Sequence, residues 1–357
     1  MTIPPGEGHP TEEAAMRLSP PLSIAATAVW LPPRRHSIEE AMAEGRVDEQ
    51  IAGRLGYRGL YESDDHAAPE MAVLAARKAL AEAGWAGEDL GLVAYSWLYH
   101  QGHDFWSAPH YVAHQLGARD ALPVGVQQTS NGCVAALEVA ATRMVLDPSL
   151  GRCLVATSDR FSLPGFDKWC SDFDVAYGDG ATALLLGRTG GPYSLLSVVS
   201  VSAPEFELLH RGDDTFSDAP LAHSIPVDVR RTKQAFRSTG GIPRFGEALH
   251  AALRRAVRQA LEEAGLSADD PRVRVLALPR IGSEPLNRFF LPPLEALGLR
   301  HTEIVDLGRD TGHLGAGDSI ANLTDLHAAN TLAPGEVALL LNTGNGFTWS
   351  CIAVRRE

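Results

Sequence analysis

Residues 127–138 read QQTSNGCVAALE, and the parsing of this stretch decides the fold. The run Val124-Gly125-Val126 before it reads as a short buried strand. Cys133 to Leu146 is rich in Ala, Val, Leu and Met, with Glu138 and Arg143 as its charges, which is a helical composition. The pattern predicts a strand, a Ser-Asn-Gly turn and a helix that opens on a cysteine. The dipole and unpaired N–H groups of a first helical turn stabilise a thiolate, so Cys133 is a candidate nucleophile. The alternative is a small buried core residue, a common fate of free cysteines.

Working outward, the chain repeats itself weakly. ARKALAEAGW at 76–85 is matched by VRQALEEAGL at 257–266, each an amphipathic helix ended by a glycine. Each leads through an acidic turn into a strand, LGLVAYS at 90–96 and VRVLALP at 273–279. YGDGATALLLGR at 177–188 is echoed by TGNGFTWSCIAVRR at 343–356. Two α/β halves are therefore expected, 21–190 and 191–357, behind a Pro/Gly-rich N-terminal tail at 1–20. The first repeat, from 76 to 257, is offset by 181 residues, which carries Cys133 to position 314, beside His313 in TGHLGAGDSIANLTDL. A cysteine and a histidine at matching helix starts form a plausible nucleophile–base pair.

Composition narrows the function. The 357 residues are 45% hydrophobic and carry a formal net charge of -13, which opposes nucleic acid or an anionic membrane as the main partner. No apolar run reaches the roughly 18–20 residues of a membrane span, and the N-terminus has no signal-peptide pattern, so a cytoplasmic location is expected. Cys133, Cys153, Cys170 and Cys351 form no CxxC pair, against both a zinc site and a disulfide framework. His100, His103, His110 and His114 cluster without a third-ligand pattern, so no metal is expected. Two basic groups, Arg230/Arg231/Lys233/Arg237 and Arg254/Arg255/Arg258, read as solvated helix faces or as a landing site for a phosphopantetheine carrier.

SNGCVAALEVA, YGDGATALLL, APGEVALLL and GNGFTWS, in that order, resemble motifs of the thiolase superfamily, specifically the beta-ketoacyl-acyl-carrier-protein synthase III group. The resemblance runs from about Leu22 to the C-terminus. It implies a five-layered αβαβα thiolase fold of two duplicated halves, a homodimer, and Cys133 as the acylated residue. Two departures matter more than the matches. LPRIGSE places Arg280 where condensing members carry a histidine, and GHLGAGD places His313 where they carry an asparagine. A guanidinium cannot act as a neutral imidazole. The pattern is similar to synthase III-like acyltransferases of antibiotic and polyketide pathways, which move an acyl group to a hydroxyl or amine of a sugar, cyclitol or other small acceptor.

The resemblance then assigns roles. Cys133 attacks the donor thioester, and the N–H groups of Cys133 and Asn345 form the oxyanion hole. His313 is the base, oriented by Asp318, with Asp306 and Asp310 as alternatives. Asp179 reads as structural. Arg280 either binds a phosphate or acyl carboxylate or pairs with an acid. Phe105 and Trp106 resemble the place where family members reach toward the partner subunit's acyl pocket, so they line that pocket or pack in the core. The donor is an acyl-carrier protein or coenzyme A thioester with no further cofactor. The family's adenine-stacking Trp is missing from RRHSIEEAMAEGR, which favours the carrier protein. Decarboxylative carbon–carbon condensation is the alternative activity.

Overall fold

Gly84 and Gly265 both take the left-handed backbone, φ 65° and 68°, that ends a helix without Cβ strain. In the computed structural model, which describes residues 15–357, these helices belong to two copies of one plan. The first copy runs β1 (Ala15–Trp30), α1 (Ala68–Ala83), β2 (Leu92–Ser96), α2 (Ala108–Leu116), β3 (Leu122–Val126), α3 (Gly132–Leu146), β4 (Arg152–Asp159) and β5 (Gly180–Gly187). The second runs β6 (Tyr193–Ser202), α4 (Ile242–Glu263), β7 (Val273–Ala277), α5 (Leu291–Glu295), β8 (Glu303–Val305), α6 (Asp318–Ala328), β9 (Val337–Gly344) and β10 (Thr348–Arg356).

The strand order is β8-β7-β9-β10-β6-β1-β5-β4-β2-β3. Read outward from the β6–β1 junction, the order and polarity are the same on both sides. The first two pairings are antiparallel and the next two parallel. Strands up to Gly187 fill one half of the sheet and strands from Tyr193 the other. Strand β1 begins at Ala15, so residues 15–20 are strand rather than the tail expected for 1–20. Residues 1–14 of that segment lie outside the described residues.

Alternation of side chains sorts the core into layers. Val93, Leu154 and Leu185 face outward onto α1 and α2. Ala94, Val155, Leu184, Val275, Leu340 and Ile352 face inward onto α3 and α6, which are sandwiched between the two halves. Leu276, Leu339 and Trp349 pack outward on α4 and α5. The result is helix, sheet, helix, sheet, helix: the five-layered thiolase fold. Helix α4 shows the sequence logic, since Phe245, Leu249, Leu253, Ala256 and Ala260 recur at helical spacing and are all buried. Each fully buried Leu or Phe contributes roughly 1.5–3 kcal/mol. No described helix is long and apolar enough to cross a membrane.

Candidate active site

The turns that lead into the two central helices meet at the middle of the molecule. Before α3, Thr129 adopts φ 47°, a left-handed conformation costly for a β-branched residue, and the chain reverses there. The strand–turn–helix geometry puts Ser130, not Cys133, at the bend that lines the cavity. Asn342 of β9 holds the turn through Nδ2, which donates to the Ser130 carbonyl at 3.1 Å. The glycine turn after β9 packs directly on it. A Cβ on Gly344 would lie 2.7 Å from Asn131 Cβ and 2.8 Å from the Gln128 carbonyl oxygen.

Before α6, the loop of residues 311–317 carries His313. Its Nδ1 lies 2.7 Å from Asp318 Oδ2 and its Nε2 lies 2.7 Å from Ser130 Oγ. Asp318 also accepts the N–H of Leu314 at 3.0 Å and of Arg280 at 2.9 Å. Burial alone would raise the Asp318 carboxyl, but His313, the Arg280 guanidinium and the Leu314 N–H together hold it below the usual carboxylate range. An ionised Asp318 accepts a hydrogen bond from Nδ1–H, which keeps the proton on Nδ1 and leaves the Nε2 lone pair facing the Ser130 hydroxyl. Serine, histidine and aspartate are thus joined in the order of a nucleophilic triad. Asp310 is engaged by Arg35 and Arg58, and Asp306 by Arg309, so neither is the orienting acid.

Cys133 is a correction to the sequence reading. It is 1% exposed and packs in the central core with Leu137, Ile320 and Leu340. Burial pushes its thiol up to about 12, so desolvation outweighs the helix dipole and the group is no thiolate. Asn342 Nδ2 donates to its Sγ at 3.4 Å. Cys133 falls in register with Leu137, Ala140 and Met144, all buried, and that apolar stripe was the available signal. Cys133 is not among the residues that line the cavity of Ser130 and His313. Asn345 does line the same cavity as Ser130 and His313.

Arg280 is a second correction. Its side chain, 1% exposed, donates from Nε to Asn322 at 2.9 Å, from one terminal nitrogen to Thr311 at 2.8 Å, and from the other to Asp325. It does not line the cavity of Ser130 and His313 and takes the acid-pairing role, while its backbone N–H holds Asp318. Phe105 and Trp106 do not pack in the core, since both are surface-exposed, and neither lines the cavity of Ser130 in its own chain. Asp179 is structural, accepting N–H groups of Ser63 at 2.8 Å and Phe161 at 2.7 Å and an ion pair with Lys168. Three members of the first basic group are engaged within the fold, and the fourth, Arg237, lines the cavity of Ser130. Arg230 donates to backbone carbonyls, Arg231 to Asp214, and Lys233 to Asp172 and Asp174.

Ser130 and His313 open into a cavity of about 710 Å³. Its lining includes apolar side chains, among them Leu209, Ile242, Phe245, Leu249, Phe289 and Phe290, and polar ones, among them Asp172, Asp174, Tyr177, His210 and Lys233. Arg54, Arg237, Glu284 and Arg288, all at least partly exposed, also line it. A second carboxyl, Asp159, clamps the loops around the site by accepting from Leu98, Tyr99 and Ala316, and burial pushes it up to about 7.

Two family models match the chain. Residues 124–203 match 3-oxoacyl-[acyl-carrier-protein] synthase III, and residues 286–356 match the C-terminal part of the same family. The solved structure of ChlB3, an acyltransferase, superposes with a TM-score of 0.84 at 33% identity, covering 94% of this chain and 98% of that one. The priming β-ketosynthase of the R1128 polyketide pathway superposes at 0.73 with 21% identity, covering 98% and 99%. The beta-ketoacyl-[acyl-carrier-protein] synthase III of Rhizorhabdus wittichii is 26% identical over 342 residues, 93% of this chain and 98% of its own.

Proposed function

The chain belongs to the 3-oxoacyl-[acyl-carrier-protein] synthase III family, and from that premise we propose an acyltransferase that works through an acyl ester on Ser130. The observation that carries the reading is the hydrogen-bonded series Ser130–His313–Asp318 at the floor of the cavity. Ser130 Oγ attacks the carbonyl of an acyl thioester while its proton passes to His313 Nε2. The carbon–sulfur bond then breaks, and His313 returns that proton to the departing thiol. A hydroxyl or amine acceptor attacks the ester next, its proton goes to His313, and the carbon–oxygen bond to Ser130 breaks as Oγ takes the proton back. The N–H groups of Ser130 and Asn345 are the proposed oxyanion donors, each worth roughly 2.7–4 kcal/mol in comparable acyl transfers.

The donor is a phosphopantetheine thioester, on an acyl-carrier protein or coenzyme A. Arg54, Arg237 and Arg288 among the cavity-lining residues suit its phosphate. The similarity to ChlB3, an acyltransferase, supports acyl transfer as the activity. Condensation is disfavoured because the two positions that polarise a malonyl carbonyl in that reaction hold Arg280, spent on Asp325 and Asn322, and His313, spent on Ser130 and Asp318. A cytoplasmic homodimer is part of the proposal, with exposed Phe105 and Trp106 at the contact between copies. Incubation with acyl-coenzyme A, acyl-carrier protein and malonyl thioesters, followed by intact-protein and peptide mass spectrometry, tests the reading. An acyl adduct on the peptide of Ser130 without carbon dioxide release is expected; decarboxylation of malonyl donors would establish condensation instead.

A further inference from the structure

Asp159, the last residue of β4, is fully buried and belongs to the half of the chain that carries Ser130. Its Oδ1 accepts the N–H groups of Leu98 at 2.8 Å and Tyr99 at 2.7 Å. Its Oδ2 accepts the N–H of Ala316 at 3.2 Å, three residues past His313 in the other half. An ionised carboxylate accepts at both oxygens, whereas a protonated one must place a hydrogen on one of them. Burial pushes the group up to about 7, while those three N–H groups and His313 favour its charged form.

The Ala316 bond bears on the base. His313 and Asp318 stand on one continuous segment of the second half, so their hydrogen bond fixes the ring but not its distance from Ser130. That distance depends on how the 311–317 loop is seated on the first half. Ala176 and Gly178 hold the backbone of His313 itself, each through one hydrogen bond of 3.0 Å. Beyond His313 the loop rests on the end of β4. A Cβ on Gly315, whose φ is 60°, would lie 2.0 Å from Asp159 Oδ2, and one on Gly317 would lie 2.6 Å from Thr157 Oγ1. Ala316 in turn meets the first turn of α3: a Cβ on Gly132, two residues past Ser130, would lie 3.1 Å from Ala316 Cβ. Asp159 thus seats the residue that spaces the two turns, and only a glycine at 315 lets the chain come this close.

Resting on the acyltransferase reading above, we infer that Asp159 is a positioning residue of that reaction: its ionised carboxylate seats the His313 loop against the Ser130 turn and so sets the reach from Nε2 to Oγ. Asparagine is the discriminating substitution. With its one carbonyl oxygen kept on Leu98 and Tyr99, its amide NH2 faces the Ala316 N–H, donor against donor. Proton NMR of the full chain, in the imidazole N–H region, reads the base without turnover; the His313 Nδ1 proton is identified by its loss in His313→Gln. In Asp159→Asn that resonance should shift or broaden while circular dichroism stays close to wild type. In single-turnover self-acylation by an acyl N-acetylcysteamine thioester, the saturating rate should fall at least tenfold, with half-saturation changed less than twofold. Gly315→Ala parts the loop from Oδ2 and keeps the carboxylate on Leu98 and Tyr99. It should repeat both effects, and the two losses should not multiply in the double variant. An unchanged Nδ1 resonance in both variants would overturn the role of Asp159, as would a loss confined to half-saturation or losses that multiply. Failure of the wild-type protein to take any acyl group would sink the acyltransferase reading alone, and the resonance would still decide whether Asp159 seats the base.

Discussion

Replacing Ser130 by Ala removes the one hydroxyl within reach of His313 Nε2, so the covalent adduct should vanish in intact-mass spectra. Cys133→Ala should keep the adduct and cost about 1 kcal/mol of stability, since it deletes only a buried sulfur from the central core. The reverse pattern would restore the cysteine as nucleophile. Asp318→Asn presents an amide to Nδ1 and inverts the histidine's tautomer, for which a loss of up to about 10⁴ in acyl transfer is expected, read as a single-turnover rate. Its pH signature is separate. The folded-state pKa of Asp318 is depressed, so the stability it lends is present above the unfolded carboxylate value near 4 and is lost as pH falls through the lower folded value. Urea unfolding of wild type should therefore weaken more between pH 6 and pH 3 than that of Asp318→Asn; equal slopes would remove Asp318 from the charged pair. At this scale the sequence was only half legible. His313 and Asp318 could be found because their spacing and the internal repeat pointed to them. Ser130 could not, because a thiol one helical turn further on drew the chemistry, and only the burial of the Cys133 stripe shows which group faces the cavity.

Among the elements, the turn between β9 and β10 governs the nucleophile. Gly344 sits against Asn131 and the Gln128 carbonyl with no room for a methyl group. Gly344→Ala must push the Ser130 turn out of register with His313, and a displacement near 1 Å costs on the order of 10² in rate. Circular dichroism close to wild type with self-acylation reduced by that order is the expected outcome; normal acylation would show the two turns to be independent. The helices ending at Gly84 and Gly265 were readable because capping glycines and apolar periodicity are local signals. The seating of one turn on another, 212 residues away through Asn342 and Ser130, leaves no local trace.

For the whole molecule, duplication explains why the site lies where it does. Each half brings one helix to the middle, and a residue of the proposed triad stands just before it: Ser130 before α3, His313 before α6. The same plan leaves a strand edge at each end of the sheet. Edge β8 has three residues; edge β3 has five, with Leu122 exposed. A strand edge with unpaired backbone groups invites pairing with another chain, and the exposed Phe105 and Trp106 belong to the same half of the chain as β3. The proposed homodimer would join copies edge to edge at β3 and bury both aromatic residues. Sedimentation velocity at micromolar concentration should then report a dimer. Leu122→Arg combined with Phe105→Glu should raise its dissociation constant at least tenfold, because two charges would be placed in an apolar contact. If Phe105 also reaches the partner's cavity, Phe105→Ala alone should change which acyl chain lengths load Ser130 while the dimer persists. A wild-type protein that sediments as a monomer throughout would refute the edge pairing and leave Phe105 without a role in acyl selection.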